Sequence, residues 1–282
     1  MKTVLLFPNE HKDRELKVTR SAARVLNGAG VTCLIPERFS DTVEGAKPMP
    51  LENALEQAGL VISIGGDGTL LLAAPFALRA GLPLLGVNAG RTGFLTELEA
   101  GEIDMLCRIP GGEYSLDRRI LLDAQISRAQ GGDALNSALN DVVVTRGESA
   151  QTIFIDLLVD GRVMNSFFAD GLIAATPTGS TGYCMSAGGP IVEPSAECIV
   201  ITPICPHALY ARSFVLDSRR EIIMRPKKLD ERPAFVTVDG ANPVRLCPGG
   251  EVRVTRSSLR VDICRLKDRQ FYDIINEKLK YR

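Results

Sequence analysis

The chain has 282 residues, 45% of them hydrophobic and 24% charged, with a formal net charge of −1. That length can bury a large apolar core and has room for two modest domains. The near-neutral balance gives no electrostatic footprint for a nucleic acid or a membrane surface, and no apolar run reaches bilayer length. Seven scattered cysteines without a CxxC pair, and only two histidines, argue against disulfide staples and a structural zinc. They read as small buried hydrophobes in a reducing, cytoplasmic compartment.

In chain order, residues 4–7 form a short β-rich run ended by Pro8, which fits a first buried strand better than a targeting segment. Residues 12–28 place Leu16, Val18, Ala22, Val25 and Leu26 at helical spacing, and Gly28 and Gly30 end that helix before a second strand at 31–35. Residues 36–50 hold several prolines and charges and read as a mobile loop. A short helix at 51–58 precedes an apolar run at 60–64 that suits a fully buried parallel strand. Residues 70–80 look helical, with Pro75 expected to kink or split the helix, and 84–87 supply another buried strand. This strand–helix alternation predicts a doubly wound, Rossmann-like parallel sheet over residues 1–112.

Beyond about residue 112 the helical periods give way to short β-rich runs. Strand candidates fall at 120–126, 138–144, 152–159 and 162–168, with Asp160-Gly161 as a hairpin turn between the last two. Further runs at 198–202, 221–224, 234–238, 244–246, 251–254 and 259–264 predict an antiparallel, β-sandwich-like domain over 113–265. Residues 271–279 are amphipathic, and a C-terminal helix within 266–282 is expected to pack back on the first domain.

The chemistry concentrates in loops. Gly65-Gly66-Asp67-Gly68-Thr69 follows a buried strand and precedes a helix, the position where open α/β sheets bind ligands. Glycines there let backbone N–H groups approach phosphate oxygens, and the following helix adds partial positive charge. Asp67 makes little sense as a phosphate ligand, because carboxylate and phosphate repel. It suits a general base for an attacking hydroxyl or a metal-organising group, and it also reads as a helix cap. Residues 170–190 carry five glycines and five Ser/Thr, a loop that could wrap a polar nucleotide with small donors. Within it Tyr183 can stack on a base or ribose, and Asp170 can accept from an adenine amino group.

The 65–69 string resembles the GGDGT signature shared by NAD kinases, diacylglycerol and sphingosine kinases and, in variant form, phosphofructokinases. Residues 88–96 resemble the NAD kinase segment N-x-G-x-x-G-F-L-T, Asn140-Asp141 its Asn-acidic motif, residues 170–190 its longest signature, and 202–207 the segment that follows. The resemblance implies an NAD kinase, using ATP or another phosphoryl donor and a divalent metal, in which Asp67 is the base for the adenosine ribose 2′-hydroxyl. Gly65, Gly66, Gly68 and Thr69 would then shape the phosphate loop, with Mg²⁺ arriving on ATP. It implies dinucleotide binding by Phe94, Asn140, Asp141, Asp170, Thr181, Gly182, Tyr183 and Ser186, and a homodimer or homotetramer. Many relatives carry Glu in place of Asp141 and Ala in place of Gly182. Asp239-Gly240 resembles a family Asp-Gly-Gln turn, but Ala241 stands in place of the Gln, so a hairpin turn is the better reading there. Two alternatives stay open: a lipid kinase of the diacylglycerol-kinase type, and a non-catalytic NAD(H)-binding sensor.

Overall fold

A computed structural model describes residues 1–40, 42–90, 93–127, 134–147, 151–208, 211–230 and 232–279. Arg91 and Thr92 of the 88–96 string, and residues 280–282 of the C-terminal segment, lie outside the described residues. The chain divides into two compact units, Met1–Arg118 with Val261–Arg282, and Arg119–Arg260.

The first unit is built on six parallel strands: β1 Thr3–Pro8, β2 Thr32–Pro36, β3 Ala46–Met49, β4 Val61–Gly65, β5 Leu84–Asn88 and β6 Leu98–Glu99. Their order, β3-β2-β1-β4-β5-β6, reverses direction between β1 and β4, so a topological switch point opens at the carboxyl ends of those two strands. Strands β4 and β5 are buried along their whole length, as their largely apolar sequences require, with Ser63 and Asn88 as buried polar members. Helices α1 (Lys17–Gly28), α2 (Leu51–Gln57) and α3 (Asp67–Ala80) connect the strands.

Three local expectations change. Residues 36–50, read as a loop, contain a 3-10 turn at Glu37–Phe39 and strand β3; Pro48 is tolerated because β3 is the outermost strand. The 12–28 helix breaks at Glu15 and Leu16, both left-handed. Asp13 then starts α1 by accepting from Val18 N and Thr19 N at 2.9 and 2.8 Å. Pro75 does not split α3, which runs continuously to Ala80. Burial of Leu70, Ala73, Ala74 and Ala77 outweighs the one helical hydrogen bond that proline removes.

The second unit is antiparallel. Its strands are β7 Ser115–Ile126, which starts in the first unit, β8 Ala134–Ala138, β9 Asp141–Arg146, β10 Ile153–Val159, β11 Arg162–Ala169, β12 Gly171–Ala175, β13 Cys198–Ile204, β14 Phe214–Asp217, β15 Ile222–Lys227, β16 Ala234–Val238, β17 Val244–Arg245 and β18 Val252–Arg265, which ends in the first unit. One sheet runs β14-β13-β12-β9-β16-β17; strands β11-β10-β15-β18 form the facing set, with β7 on β18 and β8 on β7. One cluster takes Val142, Val144, Leu172, Ala174, Ile199 and Ile201 from the first of these layers and Ile155, Leu157, Ile222, Met224 and Val252 from the other. The alternate residues Val143, Ile173, Ala175 and Val200 are buried on the opposite face with Cys184 of the short helix α4, Tyr183–Ser186. That face is therefore covered by the 183–196 segment, which gives the glycine-rich stretch a sheet to lie on. The expected strand over 138–144 is two strands separated at Leu139 and Asn140, and the runs at 251–254 and 259–264 are one strand. The tail forms α5, Phe271–Lys278, in the first unit.

Candidate active site

Strand β4 ends at Gly65, Gly66 is fully extended, and α3 begins at Asp67. A Cβ on Gly65 would collide with the Thr69 hydroxyl, so only glycine lets the strand turn this tightly into the helix. The Thr69 hydroxyl is buried and accepts from Asn9 Nδ2 at 3.1 Å, while Asn9 Oδ1 accepts from His11 N at 3.1 Å. Asn9 follows β1, so this bond closes the switch point between β1 and β4. Gly68 is exposed, with no atom within 4 Å of where its Cβ would stand.

Asp67 does not cap its helix. Its carboxylate turns to the segment after β5, where Oδ2 accepts from Phe94 N at 2.7 Å and Oδ1 from Leu95 N and Thr96 N at 3.1 and 3.2 Å. A Cβ on Gly93 would collide with the same carboxylate, which is why glycine precedes Phe94. A carboxylate offers about four lone-pair directions. Three are used here, and the one left belongs to Oδ2. Phe94 itself is half-buried. Lys278 of α5 carries a buried ammonium with no hydrogen-bond partner among the described residues. Burial lowers its pKa, against the opposing charges of Glu99 and Asp67.

The second unit has a parallel device. Asp239, in the left-handed turn after β16, accepts from Leu139 N and Asn140 N at 2.7 Å and from Asp141 N at 3.0 Å. It thereby fixes the backbone of the Asn140-Asp141 motif. Gly179 packs flat on Asn140, since a Cβ there would strike the Asn140 carbonyl, and Thr176 N donates to that carbonyl at 2.8 Å. Gly182 lies close by: a Cβ on it would stand 3.5 Å from Asn140 Nδ2 and 4.0 Å from Asp141 Oδ2. Asn140 Oδ1 is buried with no donor among the described residues, an orphaned acceptor that costs free energy unless a ligand fills it.

Asp141 is buried, and burial together with the neighbouring charge of Asp239 pushes its carboxyl up to about 7. Burial also raises Asp239, but its three backbone donors favour the anion. We therefore assign the proton shared by this pair to Asp141. Tyr183 presents an exposed ring, and burial of its hydroxyl followed by the charges of Cys205, Asp170 and Asp141 raises its pKa. Asp170 is paired with Arg146 at 2.9 Å, so an adenine amino group would share it with that guanidinium.

The hydroxyls of this stretch are mostly committed to the protein. Thr176 Oγ1 donates to Leu139 O at 2.6 Å, Ser180 Oγ to Pro177 O at 2.6 Å and Thr181 Oγ1 to Thr178 O at 3.2 Å. They hold the loop's shape rather than offering donors, whereas Ser186 lies exposed on α4. The second unit thus brings Asn140, Asp141, Gly182 and Tyr183 together, and the first brings together Gly65, Asp67, Thr69 and Phe94. Asn9, Lys278, Arg146 and the clamp by Asp239 were not found from the sequence. Only Asp239 had a signal there, its Asp-Gly turn. Among the described residues no group of three or more His, Cys, Asp or Glu side chains is placed to hold a metal ion, and no helix is long and apolar enough to cross a membrane.

The sequence profile of the ATP-NAD kinase N-terminal domain matches residues 4–108, and that of the C-terminal domain matches residues 139–266. An NAD kinase of Natranaerobius thermophilus is 36% identical over 282 residues, covering 99% of this chain and 98% of its own. One of Heliobacterium modesticaldum is 39% identical over 282 residues, covering 99% of both. An NAD kinase from Archaeoglobus fulgidus solved in complex with ATP superposes with a TM-score of 0.74 at 26% identity, covering 99% of this chain and 98% of that one. A yeast NADH kinase solved with NADH has a TM-score of 0.88 at 24% identity, covering 100% and 88%, and shares the fold.

Proposed function

The chain belongs to the NAD kinase family, and from that premise we propose how its own residues phosphorylate NAD to NADP with ATP. The adenosine ribose 2′-hydroxyl oxygen attacks the γ-phosphorus, its proton passes to Asp67 Oδ2, and the bond from the γ-phosphorus to the β–γ bridging oxygen breaks to release ADP. The observation that carries this reading is the Asp67 carboxylate, held rigidly by three backbone donors with one acceptor direction remaining. A base fixed in this way needs no reorganisation when the hydroxyl arrives.

The phosphate loop at 65–69 cradles the transferred phosphates, and a divalent cation such as Mg²⁺ enters on ATP as part of that substrate. The unpartnered ammonium of Lys278, beside the same carboxylate, is a countercharge for the phosphoryl group. Asn140 and Asp141 bind the dinucleotide, the orphaned Asn140 oxygen accepting from it, and Tyr183 stacks on it. Phe94, Gly182, Asp170, Thr181 and Ser186 line the dinucleotide in supporting roles, Thr181 through its bond to Thr178 O. We place the protein in a reducing compartment such as the cytoplasm, with its cysteines unpaired, and as a homodimer or homotetramer.

A coupled assay for NADP formation from NAD, ATP and Mg²⁺ tests this reading. NADP formation is expected; tight NAD binding without NADP formation would replace the kinase with a sensor.

A further inference from the structure

Behind the Asp67 clamp stands a second carboxylate clamp, also within the first unit. On the edge of β5 away from β4, β18 pairs with the start of the strand, Ile263 with Leu84, and β6 pairs with its end, Leu98 with Val87. The end of β18 therefore meets the segment entering β6 at the middle of β5, where Glu97 N donates to Gly86 O at 2.8 Å. The buried Glu97 carboxylate accepts there from Leu266 N and Lys267 N through Oε1, at 2.9 and 2.7 Å, and from Arg265 Nη1 through Oε2, at 3.2 Å. On its other side the Arg265 guanidinium donates from Nε and Nη2 to Asp117 Oδ2, at 3.3 and 3.2 Å. Its Nη1 also donates to Leu95 O at 3.3 Å. Leu95 is thus held from both sides, its N–H by Asp67 Oδ1 at 3.1 Å and its carbonyl by Arg265.

Residues 94–97 lie outside any helix or strand, so side chains largely set the course of their backbone. A buried Arg–Glu pair adds little net stability over apolar side chains of similar size, because desolvation offsets most of the attraction. What the guanidinium adds is direction. Its planar fork reaches two carboxylates and a carbonyl at once, which an ammonium on a flexible stem does not reproduce. We infer that Arg265 is a positioning residue for the phosphoryl transfer. Held between Glu97 and Asp117, it fixes Leu95 and, through Leu95, the orientation in which Asp67 presents its remaining Oδ2 direction to the acceptor hydroxyl. It rests on the kinase reading above, in which Asp67 is the base, and adds the residues that aim that base.

The experiment compares purified full-length wild type, Arg265→Lys, Asp67→Asn and the double variant for kcat and both KM values in NADP formation from NAD, ATP and Mg²⁺, and for Tm. Arg265→Lys keeps the charge and loses the fork. It is expected to lower kcat about tenfold, with the KM for NAD and for ATP within about twofold of wild type. In the Asp67→Asn background the same substitution is expected to change kcat less than about twofold, because no base remains to be misaimed. A merely structural role would lower Tm and reduce kcat by the same factor in both backgrounds. That equal loss, a loss confined to KM, or a kcat for Arg265→Lys within about twofold of wild type would overturn the assignment. Should Arg265→Lys fail to fold, Asp117→Asn, on the more exposed side of the guanidinium, takes its place. A kcat loss of about threefold that vanishes in the Asp67→Asn background is then expected, and no loss, or an equal loss in both, overturns the assignment. NADP formed by wild type without coupling between the two positions rejects the role of Arg265 alone, whereas no NADP from wild type rejects the kinase reading and this role with it.

Discussion

Asp239 and Asp141 grip each other's backbone: the Asp141 N–H donates to the Asp239 carboxylate at 3.0 Å, and the Asp239 N–H donates to the Asp141 carbonyl at 3.0 Å. The carboxylate also holds Leu139 N and Asn140 N. Asp239→Asn replaces one accepting oxygen by an amino group that faces donors, leaving at least one buried N–H unpaired at about 1–3 kcal/mol. The expected outcome is a lower Tm and a KM for NAD raised about tenfold or more, with kcat reduced less. Steady-state kinetics in both substrates checks this; an unchanged KM for NAD would remove Asp239 from positioning the motif.

The buried carboxyl of Asp141 titrates near 7, facing Asp239 from the turn after β16 and Tyr183 and Cys184 from α4. Ribose hydroxyls donate to the ionised form, so the KM for NAD is expected to fall as pH rises from 6 to 8, and Asp141→Asn flattens that limb. The stability linkage has the opposite sense. The folded state holds a proton that the unfolded chain releases near its ordinary value of 3.8, so this group's contribution declines as pH rises from about 4 to 7 and is level above that. Denaturant titrations across that range, in wild type and Asp141→Asn, measure it.

Gly93 touches the Asp67 carboxylate so closely that any side chain must displace one of them. Gly93→Ala is expected to lower kcat at least about tenfold, since base placement within a fraction of an ångström governs the rate. By contrast, Gly182→Ala, which meets its neighbours at 3.3 Å or more, is expected to keep activity within a few-fold. Equal losses at both positions would show that close approach to Asp67 is not what matters.

Tyr183 exposes its ring beside Asn140 and Asp141 rather than packing it into the core. Tyr183→Ala is expected to weaken NAD binding by about 1 kcal/mol, a typical stacking contribution that raises the dissociation constant about fivefold, while leaving kcat within about threefold. Calorimetric titration with NAD checks it; an unchanged constant removes the stacking role.

Much of this was legible because the relevant signals were local. Strands β4 and β5 are largely apolar runs bounded by glycine and proline, and Asp160-Gly161 takes the left-handed turn its residues favour. Strand β3 was missed because Lys47 and Pro48 are tolerated only at a sheet edge. Strand β18 was read as two because Arg256-Ser257-Ser258 looks like a turn in isolation. The phosphate loop and the Asn140-Asp141 motif stand out as strings, but what fixes them does not. The partners of Asp67 lie 27–29 residues away and those of Asp239 98–100 away. Likewise the hydroxyls of 176–181 looked like ligand donors, because sequence does not show that they are spent on neighbouring carbonyls.

Asp67 both anchors the 93–96 segment and, in the proposed mechanism, takes the ribose proton, so its removal is the most direct test. The initial rate of NADP formation at saturating NAD and ATP should be compared for wild type and Asp67→Asn. We predict robust NADP formation by wild type and a rate about 10²–10⁴-fold lower for the variant, the scale of general-base catalysis. A variant rate within a few-fold of wild type would contradict the base assignment, and no NADP from wild type would contradict the function.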